Sequence, residues 1–323
     1  MTGMDHLLRY RAPRWLPGGN LQTLYPALLA SRPRVHYRRE RLNTPDGDFI
    51  DIDWSGFEKP HGTQPLLALF HGLEGSSDSH YARTLMDAAI RRGWCGVVVH
   101  FRGCSGELNR LPRAYHSGDS AEVDWVLRHL RGAHEGQLFA TGISLGGNAL
   151  LKWLGEQGTA AGDVLWRAAA ISAPVDLHAA ATALERGFNM TYTRNFLSTM
   201  KRKSLAKLRQ HPGLFDADAL RATRTLREFD DLVTAPLHGF RDVDDYYTRA
   251  GSKPLLREIA LPTLMLNARN DPFLPSTALP DARQLSSAIT AVFPLDGGHV
   301  GFPDARGGLT WLPKTVLEFL DAE

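Results

Sequence analysis

The stretch ATGISLGGNALLKWL, residues 140–154, runs from small apolar residues through Gly142-Ile143-Ser144-Leu145-Gly146 into an amphipathic pattern. A G-x-S-x-G pentapeptide where a strand gives way to a helix sets its serine on a sharp turn, with the hydroxyl thrust out from the sheet edge. The flanking glycines make room for that turn, since a side chain at either place would collide with it. A serine hydroxyl is a poor nucleophile near neutral pH, so the chemistry also needs a positioned base and an acid that orients the base. In this kind of sheet those partners follow later strands, in the order Ser, Asp, His. After the apolar run PTLMLNA (262–268) comes Arg269-Asn270-Asp271-Pro272, and after ITAVFPL (289–295) comes Asp296-Gly297-Gly298-His299. Asp271 is preferred over Asp281, which sits further out, and over Asp296, which is too close to its strand end. Ser144, His299 and Asp271 are thus the expected nucleophile, base and acid of an acyl transfer.

Such a reaction also needs two N–H donors for the developing oxyanion. One is expected from Leu145, at the start of the helix after the serine. The other is expected from Leu73, because the loop in LFHGLEGSSDSHY follows an earlier strand of the sheet. His71 in that loop reads as an organiser, since His299 already fills the base position. Cys104, in RGCS after another strand end, lacks a histidine arrangement of its own and reads as a buried small side chain.

The elements that must position these residues are legible in the apolar periodicity. VHYRRERLNTP (35–45) and DFIDIDW (48–54) flank Asp46-Gly47 and predict an antiparallel hairpin at the sheet edge. From residue 65 the runs PLLALF, CGVVVHF, QLFATGI, AAAISAP, PTLMLNA and ITAVFPL are apolar on both faces and alternate with helical stretches, which predicts a mostly parallel sheet with helices on both sides. About 85 residues separate the sixth strand from the seventh, far more than an ordinary connection. They are expected to form a helical cap, 176–258, inserted over the carboxyl ends of the strands, where open α/β sheets bind ligands. Residues 1–34 form an N-terminal arm, and its Trp15, Leu16 and Tyr25 are expected to pack rather than touch lipid. Lys201-Arg202-Lys203 reads as a solvated helix face.

The bulk numbers narrow the function classes. At 323 residues, 43% hydrophobic and 22% charged, the chain reads as one α/β domain, 1–323. A formal net charge of +2 is too near balance for a nucleic-acid binder. Two cysteines, Cys95 and Cys104, form no framework and no metal spacing, which points to a reducing compartment and a cytoplasmic address. No apolar run approaches a membrane span of roughly 18 residues, and peripheral lipid contact is left open.

Together these stretches resemble the YheT-like branch of the α/β-hydrolase superfamily, related to ABHD-type acyl hydrolases and yeast medium-chain ester synthases. The resemblance is carried by PGGNLQTLYPAL (17–28), FHGLEGSSDSHYAR (70–83), HFRGCSGELNR (100–110), YHSGD (115–119), GISLGGNALLKWLGE (142–156), REFDDLVTAPLHGF (227–240) and NARNDPFLP (267–275). It implies the same Ser144, Asp271 and His299 set, with one departure: Asn270 stands where relatives commonly carry an acid. The expectation is a serine esterase acting on short to medium acyl chains without metal or organic cofactor. Phe188, Met190, Phe196, Leu197 and Met200 of the cap would line a covered apolar tunnel, while Asp230, Asp231, Tyr246 and Tyr247 are candidates for either substrate contact or packing. The alternatives are a lipase or phospholipase, transfer of the acyl group to an alcohol, and a binding protein that keeps the fold without the chemistry. Survival of nucleophile, acid, base and oxyanion loop together argues against the last.

Overall fold

A computed structural model describes residues 10–56 and 62–322; residues 1–9 of the arm lie outside the described residues. Eight strands form one sheet in the order β1-β2-β4-β3-β5-β6-β7-β8. They are β1 (Arg38–Asn43), β2 (Phe49–Ser55), β3 (Leu66–Phe70), β4 (Cys95–Val99), β5 (Leu138–Ile143), β6 (Arg167–Ile171), β7 (Thr263–Leu266) and β8 (Ile289–Val292). The β1–β2 hairpin closes at Asn43 opposite Phe49, and Gly47 supplies the positive φ of its turn. β2 joins β4 antiparallel, and every pairing from β4 to β8 is parallel.

Because successive side chains on a strand point to opposite faces, each central strand feeds two cores. Leu66, Ala68 and Phe70 pack with one cluster, under α3 (Ser120–Ala133) and α4 (Leu145–Gln157). Leu67 and Leu69 pack with the other, under α2 (His80–Arg91) and α11 (Trp311–Leu320). Preceding the sheet, α1 (Gly18–Leu28) lies across the strand ends on the side of the last two loops.

The polar positions of β2 are buried as well. Asp51 accepts from Arg41 at 2.7 Å, and Asp53 accepts from Arg39 at 2.7 Å and from His100 at 2.8 Å. Beside them the buried Arg102 guanidinium reaches Glu122 at 2.5 Å, Asp46 at 3.0 Å and Asp48 at 3.2 Å. Asp48 also accepts from the Phe49, Arg110 and Leu111 amides. This network pins the segment after β4 against the hairpin.

Between β6 and β7 the chain is helical: α5 (Leu177–Leu184), α6 (Met190–Gln210), α7 (Ala217–Ala222), α8 (Leu226–Phe229), α9 (Ala235–Leu237) and α10 (Val243–Ala250). The run DADALRATRTLREFDD, inside the expected helical cap, is broken into short helices. Thr225 opens α8 with a capping box to Glu228, and Asp230–Thr234 forms a π turn before α9. A separate apolar cluster holds these helices together, with Leu197, Leu220, Phe229 and Val233 at its centre. Asn148 of α4 ties them to the sheet: its amide donates to Ser117 O at 2.8 Å and Ala250 O at 2.9 Å, while its oxygen accepts from Ser252 N.

Candidate active site

Ser144 follows β5 with φ 51° and ψ −118°, a region that costs a non-glycine residue on the order of 1–3 kcal/mol and persists only where surroundings impose it. The surroundings are visible at both glycines. A Cβ on Gly142 would stand 2.4 Å from Gly146 O, and a Cβ on Gly146 would stand 2.4 Å from Phe70 O and 2.6 Å from His71 O. Those neighbours are backbone and cannot swing aside. The turn is fixed further by Ser144 N donating to Ile171 O at 2.8 Å, so the serine emerges between β5 and its neighbours with its hydroxyl free to point outward.

His299 Nε2 lies 2.8 Å from Ser144 Oγ, and its Nδ1 lies 2.9 and 3.1 Å from the Asp271 carboxylate oxygens. A carboxylate only accepts, so Nδ1 carries the proton and Nε2 presents its lone pair to the hydroxyl. Asp271 is itself held by Phe273 N at 2.8 Å and Asn267 Nδ2 at 3.3 Å. The Phe273 ring stacks on the imidazole with centroids 4.0 Å apart. Three residues separated by up to 155 positions in sequence therefore form one hydrogen-bonded line.

What holds the imidazole in place was not read from the sequence. Four successive amides of its loop are each taken by a side chain: Gly297 N by Gln22 Oε1 at 2.8 Å, Gly298 N by Asn270 Oδ1 at 3.0 Å, His299 N by Thr23 Oγ1 at 2.9 Å, and Val300 N by Ser172 Oγ at 3.0 Å. The loop needs this, for Gly298, Val300 and Phe302 all have positive φ, and a β-branched residue there is held by its contacts. Two of the four clamps come from α1. The fit is close, since a Cβ on Gly19 would lie 1.9 Å from Asn270 O and one on Gly301 1.9 Å from Gln22 O. The GGNLQT stretch was legible only as part of a resemblance; its side chains bond amides some 275 residues away, which no local pattern reveals.

Asn270 acquires a reason in the same network. Its amide nitrogen donates to Gln22 Oε1 at 2.9 Å and Asp296 Oδ1 at 3.0 Å, while its oxygen accepts from Gly298 N. An acid there would give up both donations and set a second charge against Asp296.

The loop 71–75 approaches Ser144 so closely that a Cβ on Gly72 would lie 3.2 Å from Ser144 Cβ. Tyr81 OH takes the Gly72 amide at 3.0 Å, and Tyr115 OH takes the Glu74 amide at 2.9 Å. Between them, Leu73 N–H has no protein acceptor among the described residues, and the same holds for Leu145 N–H at the start of α4. His71 accepts Phe101 N at 3.1 Å and donates to Gly72 O at 2.7 Å, and burial, then the neighbouring His100, pushes its imidazole down to about 3. It is a neutral brace in the loop. Burial pushes the Cys104 thiol up to about 12 despite Lys203 beside it, which disfavours a thiolate.

Above Ser144 and His299 lies a cavity whose wall includes Leu73, Leu145, Leu184, Phe196, Met200 and Phe273. A second cavity shares Leu73, Leu145, Met200, Asp230 and Tyr246 with it and continues past Leu108, Phe215 and Leu237. Of the five cap residues expected in a tunnel, Phe196 and Met200 face the first cavity, one turn apart on α6. Leu197 is in the cap core and Phe188 is 53% exposed. Met190 faces a different, cationic cavity on the far side of α6. Lys201-Arg202-Lys203 is not a uniformly solvated face: Lys203 turns inward to Glu74 at 2.9 Å, and Lys201 donates to the carbonyls of Arg221 and Thr223. Asp230 accepts from Thr234 Oγ1 at 2.6 Å and Tyr247 OH at 2.8 Å; burial pushes its carboxyl up to about 6. Asp231 caps α10 through Val243 N at 3.0 Å. In the arm, Leu16 is buried, whereas Trp15 is half exposed and packs edge-on against Tyr25.

Comparison with known proteins places this architecture. The α/β-hydrolase fold model matches residues 65–305. YheT of Escherichia coli strain K12, provisionally named an esterase, is 42% identical over 93% of this chain and 87% of its own. Phospholipase ABHD3 of Mus musculus is 33% identical over 93% of this chain and 75% of its own. Among solved structures, the Pyrococcus furiosus esterase Pf2001 superposes with a TM-score of 0.55 at 14% identity, covering 90% of this chain and 96% of that one, which speaks to the fold alone. With relatives aligned along nearly its whole length and the fold model matched from β3 past the histidine loop, this chain belongs to the α/β-hydrolase family.

Proposed function

We propose that the protein is a serine hydrolase of carboxylic esters, with Ser144, His299 and Asp271 as its catalytic residues. The observation that carries this is the unbroken line of hydrogen bonds from Ser144 Oγ through the imidazole to Asp271, starting from a serine on a strained turn. Ser144 Oγ attacks the ester carbonyl carbon while its proton passes to His299 Nε2. Asp271 keeps Nδ1 protonated and stabilises the imidazolium. The carbonyl oxygen, now negative, takes the Leu73 and Leu145 N–H groups. The carbon–oxygen bond to the alcohol then breaks as Nε2 returns its proton to the leaving oxygen. Water, deprotonated by the same nitrogen, attacks the acyl-serine and releases the acid.

The mostly apolar cavity over the serine supports an acyl chain of short to medium length as the bound part of the substrate. A second reading, a lipid-like ester as substrate, is favoured by the similarity to a phospholipase along most of the chain. Labelling with a fluorophosphonate tests the site: the wild type is tagged and Ser144→Ala is not. A tag that persists in Ser144→Ala refutes the assignment. Turnover of a graded acyl series then fixes chain length, and a sharp rise above the micelle concentration selects the lipid reading.

A further inference from the structure

The mouth of the site is framed by apolar side chains that the fold leaves in the open. A groove runs from Ser144 and His299 outward between α1 and the first turns of α6, with Leu24, Ala27 and Leu28 on one bank and Tyr192 and Phe196 on the other. Leu28 and Leu29 at the end of α1 are 70% and 77% exposed, and Phe188, whose ring meets Tyr192 edge-on, is 53% exposed. Large apolar side chains scattered singly need no explanation, but three at the rim of one groove form a patch.

The outer face of α6, opposite the groove, is cationic. Arg194 and Lys201 line a cavity there with Arg221 and Arg224, on the far side of the helix from Tyr192 and Phe196. Arg221 pairs with Asp218 at 2.6 Å, but among the described residues Arg194, Lys201 and Arg224 have no carboxylate within ion-pair distance, nor has Arg32 at the groove itself. The nearby acids are already engaged: Asp78 by Arg83 at 2.8 Å, and Glu228 by the Arg224 and Thr225 amides. Lys201 is held in place by the Arg221 and Thr223 carbonyls, and these neutral acceptors leave its charge uncompensated by an ion pair.

We propose that this rim is a docking surface for an anionic lipid bilayer, with Leu28, Leu29 and Phe188 entering the acyl region and Arg194, Lys201 and Arg224 facing phosphate headgroups. Apolar anchors beside basic side chains are the composition that holds a protein in the plane of a membrane interface. The groove would then open toward the lipid, so a chain could slide along Phe196 to the serine without crossing water. The inference rests on the ester-hydrolase reading for its purpose, and its test does not.

Full-length Ser144→Ala protein, which does not turn over substrate, is sedimented with phosphatidylglycerol vesicles and with phosphatidylcholine vesicles. Binding to the anionic vesicles is expected to be tighter and to weaken with added salt. Lys201→Ala and Arg224→Ala should each weaken it by about fivefold, and Leu28→Glu/Leu29→Glu by about tenfold or more. Thermal unfolding checks that each variant is folded, and Leu29→Glu alone carries the apolar arm if the double variant is not. Absence of binding to anionic vesicles, or binding that neither set of substitutions reduces, overturns the proposal. So does a wild-type dimer that Leu29→Glu splits, since a second copy of the chain would then be what covers the patch.

Discussion

Thr23→Val isolates one clamp on the histidine loop. Thr23 Oγ1 donates to Gly19 O at 2.7 Å and accepts from His299 N at 2.9 Å, and the residue is buried. Valine keeps the shape and removes only the hydroxyl, so His299 N–H loses its acceptor where water has little access. Leaving a buried donor unpaired costs about 1–3 kcal/mol. If the loop keeps its position, that cost appears as lost stability. If the loop moves to find another acceptor, the imidazole leaves its 2.8 Å contact with Ser144, and the same energy appears in the barrier. At about 1.36 kcal/mol per tenfold, this is about 5- to 150-fold in kcat. Because Thr23 bonds the His299 amide and does not line the cavity over the serine, KM should stay within about threefold. The assay is turnover of a soluble chromogenic ester, paired with urea unfolding of the same samples. Thr23→Ser, which restores the hydroxyl, should recover most of what is lost. Wild-type kcat and stability in Thr23→Val, or an equal loss in Thr23→Ser, would refute the claim that α1 positions His299.

Three further substitutions probe other parts. Gly146→Ala forces a methyl against Phe70 O and His71 O; it should cost about 1–3 kcal/mol or more and lower kcat on the order of 100-fold by displacing the serine turn and the loop 71–75 together, as read by denaturation and turnover. Arg102→Met strands the buried Glu122 and Asp48 carboxylates, with an expected loss of about 3–5 kcal/mol in urea unfolding. Burial, reinforced by Asp119, already pushes Glu122 up to about 7 against the lowering by Arg102; without that arginine it takes up its proton at higher pH still, so the loss should be largest in alkali and shrink as pH falls toward about 7. Asp230→Asn tests the buried acid of the cap: its folded carboxyl titrates near 6 against a usual 3.8, so the native state binds the extra proton and the wild type loses stability as pH rises through that window. The asparagine variant lacks this titration, and its unfolding free energy relative to wild type should climb from about pH 4 to pH 7, by no more than about 3 kcal/mol and by less where cavity water screens the charge, as read from urea unfolding. A flat difference would mean that Asp230 is not desolvated.

Much of the framework is legible in the sequence because its causes are local or periodic. β3 to β8 are short apolar runs, since both faces of a central strand are covered, and the helices between them are amphipathic for the same reason. The serine turn is legible because the clash that demands Gly142 and Gly146 arises within the turn and the adjacent β3 end. Order along the chain then brings Asp271 and His299 to neighbouring strand ends, β7 and β8, which pair in register. The cap was harder. Apolar content alone does not say which face of α6 looks at the cavity, and the helical phase sends Phe196 and Met200 there but Leu197 to the cap core. Lys203 looked like one of three solvated cations because its partner, Glu74, is 129 positions away.

The clasp around the histidine shows why positioning residues escape a reading that finds reacting ones. A nucleophile, base or acid is restricted to a few residue types, and chemistry sets their order. A hydrogen-bond acceptor for a loop amide is not so restricted: Gln22, Thr23, Ser172 and Asn270 are four different residue types doing one job from three parts of the chain. Each one alone reads as a surface polar residue, a helix capper or a turn former. Their shared task follows from the loop they serve. The chain beyond β8 has no further strand to pair with among the described residues, so the amides that precede and follow His299 must be satisfied by side chains or left unpaired. This also inverts the apparent weakness at Asn270. An amide can donate and accept at once, and that position must donate to Gln22 and Asp296 while accepting from Gly298. The departure from the usual acid is therefore a consequence of how this chain, with Gln22 opposite, closes its own hydrogen bonds, and Asp271 keeps the imidazole to itself.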